Sequence, residues 1–244
     1  IVLLDISAPR QRRGPDRTLI EAVAAKAYVP ITVGGGIRTV VDVRNVVQWG
    51  ADKVAINTAA IADPRLVARA AERFGRQCVV CSIDAVADEQ GAYQVVSEAA
   101  TRATGRDPVE IARVMEDNGA GEILLNAVHR DGAKCGYDTA LIERVTAAVT
   151  IPVIVLGGVG HPRHFLEGAG IAGVSAVASG NFFYFTEHSV LTAKAFLADA
   201  GIGLRHDTYA DYRGRAFDDE GRIAKQDDRE LEHLVFTHYP EEVI

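Results

Sequence analysis

The sequence has little of what marks secreted, membrane or nucleic-acid-binding proteins. Its 244 residues include only 3 cysteines, which argues against a disulfide scaffold and favours a reducing, cytoplasmic compartment. Acidic residues outnumber basic ones, and the net charge of -7 argues against a nucleic-acid surface. No apolar run reaches the roughly 20 residues that cross a bilayer, so we expect no membrane segment.

Two of the cysteines form a C-x-x-C motif, which could indicate a metal or redox site. Cys78 and Cys81 lie in an apolar run that is typical of a buried strand. Strand side chains alternate between faces, so two residues three positions apart point in opposite directions. We therefore expect neither a metal nor a cofactor.

The densest basic cluster is short. Arg10, Arg12 and Arg13 lie within four positions. We interpret them as part of a solvated loop, because so small a cluster does not make a nucleic-acid-binding surface.

Short apolar runs alternate with segments of helical period, as in a parallel sheet with crossover helices. Asp63-Pro64 and Asp107-Pro108 each place a capping side chain before a proline, as at the start of a helix. The length suits one α/β barrel, and we predict a (β/α)₈ TIM barrel. The predicted strands begin near Val2, Pro30, Lys53, Cys78, Glu122, Pro152 and Val174.

Seven strand–helix units are one fewer than a closed barrel needs. Because Ile1 already lies in a predicted strand, we expect the first βα unit to precede it. A protein of seven units, or an open α/β sheet, is the alternative. An internal repeat favours the barrel, since residues 29–36 resemble residues 151–158 half a barrel later.

The composition changes after the barrel pattern ends. We assign residues 1–201 to barrel strands two to eight, and residues 202–244 to an acidic extension packed on the barrel or on a partner. Residues Leu234 to Tyr239 are strand-like, but no chemical role follows from them.

Two glycine-rich strand ends occupy symmetric positions. Gly34-Gly35-Gly36 and Gly157-Gly158 would let backbone N–H groups approach a phosphate beside a helix N-terminus. The strands that follow end in Asn57-Thr58 and Ser179-Gly180. One glycine pair is weak support, but the symmetry predicts a substrate with a phosphate at each end.

Polar side chains end several predicted strands, where barrel active sites collect. Asp84 is a candidate general acid or base, although a helix cap or a loop ion pair would also explain it. Asp5 is a weaker candidate. Asn57 and Asn126 could orient a polar substrate.

Two charged residues share faces with these asparagines, four positions earlier. Lys53 lies on the face of Asn57, and Glu122 on the face of Asn126. Both would point at the barrel axis near its floor, where charges are costly unless they are paired. Either they form a structural ion pair, or they surround an opening through which something polar passes.

Over residues 1–201 the sequence resembles HisF, the cyclase subunit of imidazole glycerol phosphate synthase. The similarity rests on the following segments: Val33 to Arg38, Gly50 to Ala60, Ser82 to Asp84, Gly119 to Leu125, Arg130 to Gly132 and Gly136 to Asp138.

The resemblance implies an ammonia-dependent lyase or cyclase. A glutaminase subunit would release ammonia at the barrel floor, and the ammonia would attack a phosphoribulosyl ribonucleotide at the other end. By this resemblance the catalytic residues are Asp84 and Asp131, the gate is Lys53 and Glu122, and Asp52 contacts the partner. The implied substrate- and phosphate-binding residues are Gly35, Gly36, Asn57, Thr58, Asn126, Gly157, Gly158, Ser179 and Gly180.

Departures from the family pattern gather in the second half of the barrel top. They are Asn126, His129, Leu156 and Gly180-Asn181. With the acidic tail, they resemble a second group of HisF-like proteins that is linked to acetamidino sugars of bacterial surface polysaccharides, such as lipopolysaccharide. That resemblance implies ammonia delivery to a sugar amidotransferase.

Two further hypotheses stay open. A non-catalytic subunit could deliver ammonia to a third protein. The related barrel isomerase of histidine synthesis is the other, and the Lys53 and Glu122 pair argues against it.

Overall fold

A computed structural model describes residues 1–185, 188–205, 211–219, 221–224, 227 and 229. Its strands are β1 (Val2–Leu4), β2 (Thr32–Gly34), β3 (Lys53–Ile56), β4 (Val79–Ala87), β5 (Tyr93–Ser97), β6 (Arg102–Ala103), β7 (Glu122–Ala127), β8 (Val153–Leu156) and β9 (Val174–Val177). Its helices are α1 (Ser7–Arg10), α2 (Arg17–Ala24), α3 (Val40–Gln48), α4 (Thr58–Ala62), α5 (Arg65–Phe74), α6 (Pro108–Asp117), α7 (Thr139–Thr146), α8 (Pro162–Ala169), α9 (Asn181–Phe185) and α10 (Ser189–Asp199).

The main sheet is parallel and curled, with helices on its outer side. Its strands follow the order β1-β2-β3-β4-β7-β8-β9. All seven predicted strands are confirmed, and each begins within two residues of its predicted start. Strands in chain order with helices between them are the arrangement of a TIM barrel, so the predicted fold class is confirmed.

A short antiparallel hairpin was not predicted. β4 runs past the sheet and pairs with β5, which pairs in turn with β6. The hairpin therefore extends from the carboxyl end of a central strand.

The two faces of the sheet bury different side chains. On the outer face, Val79, Cys81 and Ile83 belong to the large core shared with the helices. On the inner face, Val80 packs with Leu124 and others in a separate, smaller cluster. This alternation is the period of two that a strand imposes.

The prediction that both cysteines of the C-x-x-C motif lie in a strand is correct only for Cys81. Cys81 lies on the outer face, whereas Cys78 closes the 3₁₀ turn ahead of β4. Both thiols are free. Burial raises the pKa of Cys81 to about 12, so its reactive thiolate is scarce at neutral pH.

Proline and aspartate fix the start of α6 as the sequence indicates. The Asp107 carboxylate accepts hydrogen bonds from the N–H groups of Val109 and Glu110, and Pro108 occupies the first helical position. Glu110 does not complete a capping box, because its carboxylate pairs with Arg106 instead. The helix start is thus set by one side chain and one ring.

The described part of the C-terminal extension contacts α8 and α10. The ring of Phe217 lies edge-on to Phe196, with centroids 5.4 Å apart. A Cβ on Gly221 would lie 2.4 Å from Cδ of Pro162, so the backbone there runs directly over the start of α8. The strand-like segment from Leu234 to Tyr239 lies outside the described residues. No helix in the described part of the chain is long and apolar enough to span a membrane.

The outer core provides a test of the fold. Leu141 on α7 is fully buried, whereas Leu19 on α2 is 42% exposed. We expect Leu141→Ala to lower the free energy of unfolding by about 2–5 kcal/mol, because it leaves a cavity among packed side chains. Leu19→Ala is the matched control, and urea unfolding measures both. Equal effects would place Leu141 outside the core.

Candidate active site

A cavity of about 550 Å³ opens at the carboxyl ends of the strands. This is the end at which barrel enzymes carry their chemistry. Seven candidate site residues from the sequence line it together: Asp5, Gly35, Gly36, Asn57, Thr58, Asp84 and Asn126.

Asp84 lies between two amide side chains. Its Oδ2 accepts a hydrogen bond from Nδ2 of Asn57 at 3.0 Å, and its Oδ1 accepts one from Nδ2 of Asn126 at 3.2 Å. Among the described residues Asp84 caps no helix and pairs with no cation. The two structural alternatives, a helix cap and a loop ion pair, therefore do not apply there. The Oδ1 of Asn126 is buried and has no hydrogen-bond partner among the described residues.

The electrostatics of the site disfavour the charged form of Asp84. Burial raises the pKa of Asp84 above its ordinary value, and the negative charge of Asp131 adds to the rise. The hydrogen bonds from Asn126 and Asn57 oppose it without cancelling it. A carboxyl group with a raised pKa in a cavity is a candidate for proton transfer.

The first glycine-rich strand end forms part of the cavity wall. Gly35 and Gly36 have φ angles of 108° and 72°, which residues with a Cβ rarely adopt. A Cβ on Gly35 would lie 2.4 Å from the carbonyl oxygen of Asp5. Only glycine fits this turn, which leaves its backbone bordering the cavity.

The hairpin that the sequence did not predict closes one side of the cavity. Glu98 and Ala99 line it, and the N–H of Glu98 donates to Oγ1 of Thr58 at 3.0 Å. No local pattern indicated this contact, because it joins residues 40 positions apart.

The second glycine pair lies outside this cavity. A Cβ on Gly157 would lie 2.6 Å from the carbonyl oxygen of Ala127, and one on Gly158 would lie 2.1 Å from that of Gly136. Both glycines therefore let the chain after β8 pack against the end of β7 and the segment that follows it. Ser179 and Gly180 follow β9, and a second phosphate site at these residues stays a prediction.

Asp131 lies on the exposed loop after β7. Its N–H donates to the carbonyl oxygen of Ala127 at 3.1 Å, within a turn. Its side chain does not line the described cavity, but its charge acts on Asp84.

Charged residues meet at the opposite end of the inner face. Nζ of Lys53 and Oε1 of Glu122 form an ion pair, with side chains 30% and 19% exposed. The two charges are thus paired, whereas an opening at this position through which something polar passes stays a prediction. Asp52 is next to them, and its Oδ2 accepts a hydrogen bond from the N–H of Ile31 at 2.7 Å.

Apolar side chains separate the ion pair from Asp84. The inner cluster consists of Ala55, Val80 and Leu124, with Ile154 and Leu156 packed against it. The lumen is therefore charged at its floor, apolar in the middle and polar at its top.

A hydrogen-bonded triad lies beside the site and was not predicted. Oδ2 of Asp138 is 2.9 Å from Nε2 of His129, and Oδ1 accepts a hydrogen bond from the hydroxyl of Tyr93 at 2.7 Å. Burial, together with Asp138, raises the pKa of Tyr93 to about 12. His129 was visible only as a departure from the family pattern, and Tyr93 lies on the unpredicted hairpin.

Asp5, the weaker catalytic candidate, has a structural role. Its Oδ1 accepts hydrogen bonds from the N–H groups of Ser7 and Ala8, both at 3.0 Å, and its other oxygen pairs with Arg13 at 2.5 Å. The solvated-loop interpretation is thus wrong for Arg13. For Arg12 it is consistent with the structure, because Arg12 is exposed in the loop, where it also lines the cavity.

Within the described ranges, no three His, Cys, Asp or Glu side chains converge so as to hold a metal ion. The site that the structure assembles is thus one carboxyl group, two amides and a glycine-rich turn. These groups suit proton transfer and the binding of an anionic substrate.

Comparison with known families agrees with this architecture. A family described as "Histidine biosynthesis protein" matches residues 1–189. The chain belongs to this family. It contains HisF and HisA, so the resemblance to HisF is confirmed at the level of the family. Its members are TIM-barrel enzymes of histidine biosynthesis.

The raised pKa of Asp84 has a consequence for stability. The folded state holds the proton of Asp84 at a pH where the unfolded chain has released it, so the free energy of unfolding falls as the pH rises through that window. We expect Asp84→Asn to remove this dependence. Urea unfolding should show the variant to be more stable than the wild type at pH 7, with the difference shrinking towards pH 4.

Asp117→Asn is the control, since it replaces an exposed carboxylate at the end of α6. Parallel pH profiles for the wild type and Asp84→Asn would mean that folding does not perturb the ionisation of Asp84.

Proposed function

We propose that the protein is the cyclase-type subunit of a glutamine amidotransferase complex, a lyase that uses ammonia released by a glutaminase subunit. One observation carries the proposal. Asp84 sits between Asn57 and Asn126 at the top of the same inner face whose floor holds Lys53 and Glu122.

Asp84 would act as the general acid and base. Attack of ammonia on a carbonyl carbon requires a proton for the carbonyl oxygen, and ring closure requires proton removal from nitrogen. The raised pKa of Asp84 supports both transfers in turn. Asn57 and Asn126 hold its two oxygens in place. Asp131, on the loop after β7, would be the second catalytic residue.

The glycine-rich turn would bind a phosphate of the substrate. Gly35 and Gly36 border the cavity together with Thr58, and backbone N–H groups suit phosphate oxygens. A second phosphate would lie at Gly157, Gly158, Ser179 and Gly180, which follow β8 and β9.

The floor would admit ammonia from the partner. Uncharged ammonia tolerates the apolar middle of the lumen, whereas a charged ammonium ion would lose its hydration there. Lys53 and Glu122 would form the gate, and Asp52 would contact the glutaminase beside it.

Turnover of the phosphoribulosyl ribonucleotide with ammonium salts tests the chemistry directly. We expect the protein to form the imidazole product and Asp84→Asn to lower kcat by about 10²–10⁴-fold, since a general acid or base contributes that much. Asp117→Asn should retain full activity. Unchanged kcat in Asp84→Asn would exclude Asp84 from the proton transfers.

The gate is tested by comparing two nitrogen sources in the complex with the glutaminase. We expect Lys53→Ala to change the ratio of the glutamine-dependent to the ammonium-dependent rate, because only the first requires passage through the floor. Lys26→Ala, on an exposed residue after α2, is the control. An unaltered ratio would mean that Lys53 is structural.

The second candidate is ammonia delivery to a sugar amidotransferase for acetamidino-sugar formation, without cyclase activity. It is supported by the altered second half of the barrel top, where Leu156 is the strand neighbour of Asn126 and His129 is engaged by Asp138. A folded protein that couples to the glutaminase but leaves the ribonucleotide unchanged would favour it.

A further inference from the structure

We infer that Arg12 and Arg38 form a guanidinium clamp for a phosphoryl group at the mouth of the cavity. Both residues line it, on the side of the Gly35-Gly36 turn. The inference rests on the proposed function only in the phosphorylated nature of the ligand.

The loop that carries Arg12 is fixed by its neighbours. The guanidinium of Arg13 pairs with Asp5 and donates to Oγ of Ser7 at 2.8 Å, while its Nε donates to Gln11 at 2.9 Å. Arg12 itself has a φ of 54°, the left-handed conformation that commonly ends a helix. The N–H of Arg13 donates to the carbonyl oxygen of Ala8 at 3.1 Å, so this turn is fixed to the end of α1.

The same loop lies directly on the glycine turn. The carbonyl oxygen of Arg13 accepts a hydrogen bond from Nη2 of Arg38 at 2.9 Å. A Cβ on Gly36 would lie 2.7 Å from that same oxygen. One carbonyl group therefore joins Arg38, the Arg12 loop and the glycine turn.

The charges of the cavity wall leave positive charge available. Its carboxylates are already engaged, because Asp5 pairs with Arg13, Glu98 pairs with Arg102 at 3.2 Å, and two amides hold Asp84. In contrast, the side chain of Arg12 has no hydrogen-bond or ionic partner within the ranges that the structure describes. That of Arg38 donates to a carbonyl oxygen only.

This combination suits a phosphate monoester better than a single carboxylate. Guanidinium groups bind phosphate oxygens through pairs of N–H donors, and two of them balance a dianion. The glycine turn adds backbone N–H groups. The rest of such a ligand would extend along the apolar wall towards Asp84.

Binding of inorganic phosphate, followed by ³¹P NMR or calorimetry, tests the clamp without turnover. We expect Arg12→Gln to weaken binding about tenfold, since charged hydrogen bonds contribute that much. Arg38→Gln should weaken it similarly. Arg12→Lys should fall between the wild type and Arg12→Gln, because it keeps the charge but loses the fork of donors.

Arg10→Gln is the matched control, because Arg10 is exposed in the same segment and does not line the cavity. Equal effects of Arg12→Gln and Arg10→Gln on phosphate binding would overturn the inference. Binding would then depend only on the general positive charge of this surface. Arg12 makes no side-chain contact that folding requires, so this variant decides the question even if Arg38→Gln is unstable. Loss of phosphate binding in Arg12→Gln would support the clamp even without turnover of the ribonucleotide. If the protein turns over the ribonucleotide but Arg12→Gln binds phosphate as tightly as the wild type, the proposed cyclase function stands and the clamp is wrong.

Discussion

The alternation of side chains along parallel strands is the constraint on which the whole site depends. Because successive residues face opposite sides, Lys53 and Asn57 share the lumen on one strand, as do Glu122 and Asn126 on another. Parallel strands also place all their carboxyl ends at one rim. A charged floor and a polar top follow from these two rules, and a shift of register by one residue would move every one of these groups into the helix-facing core.

The lumen holds polar groups that an apolar interior would not tolerate alone. Lys53 and Glu122 neutralise each other, which limits the cost of removing charge from water. Asp84 has no such cation and instead receives two amide hydrogen bonds. The protein thus keeps a carboxyl group whose charged form is disfavoured, at the position where proton transfer would be needed. Active-site residues often reduce stability in this way.

Part of the site followed from short-range patterns. The strand ends at Asn57, Asp84 and Asn126 were recognisable because apolar runs stop there, and Gly35-Gly36 because a glycine pair follows a strand. The position of Arg12 at the cavity could not be recognised from the sequence, since an arginine in a polar loop has the same local pattern whether it faces solvent or a cavity. Tyr93 was missed because its hairpin packs through contacts with residues far away in the chain.

The sequence by itself determined the seven parallel strands, their inward and outward faces, and the rim on which the candidate residues gather. These features depend on local periodicity and on chain order, both of which can be read from residues near one another. Only the tertiary structure decided that Lys53 meets Glu122 and that Asp84 is held by two amides. It also decided that Asp5 serves a turn and that Arg12 lines the cavity. Each of these depends on the distance between side chains from different elements, which the curl of the sheet sets and no local pattern encodes.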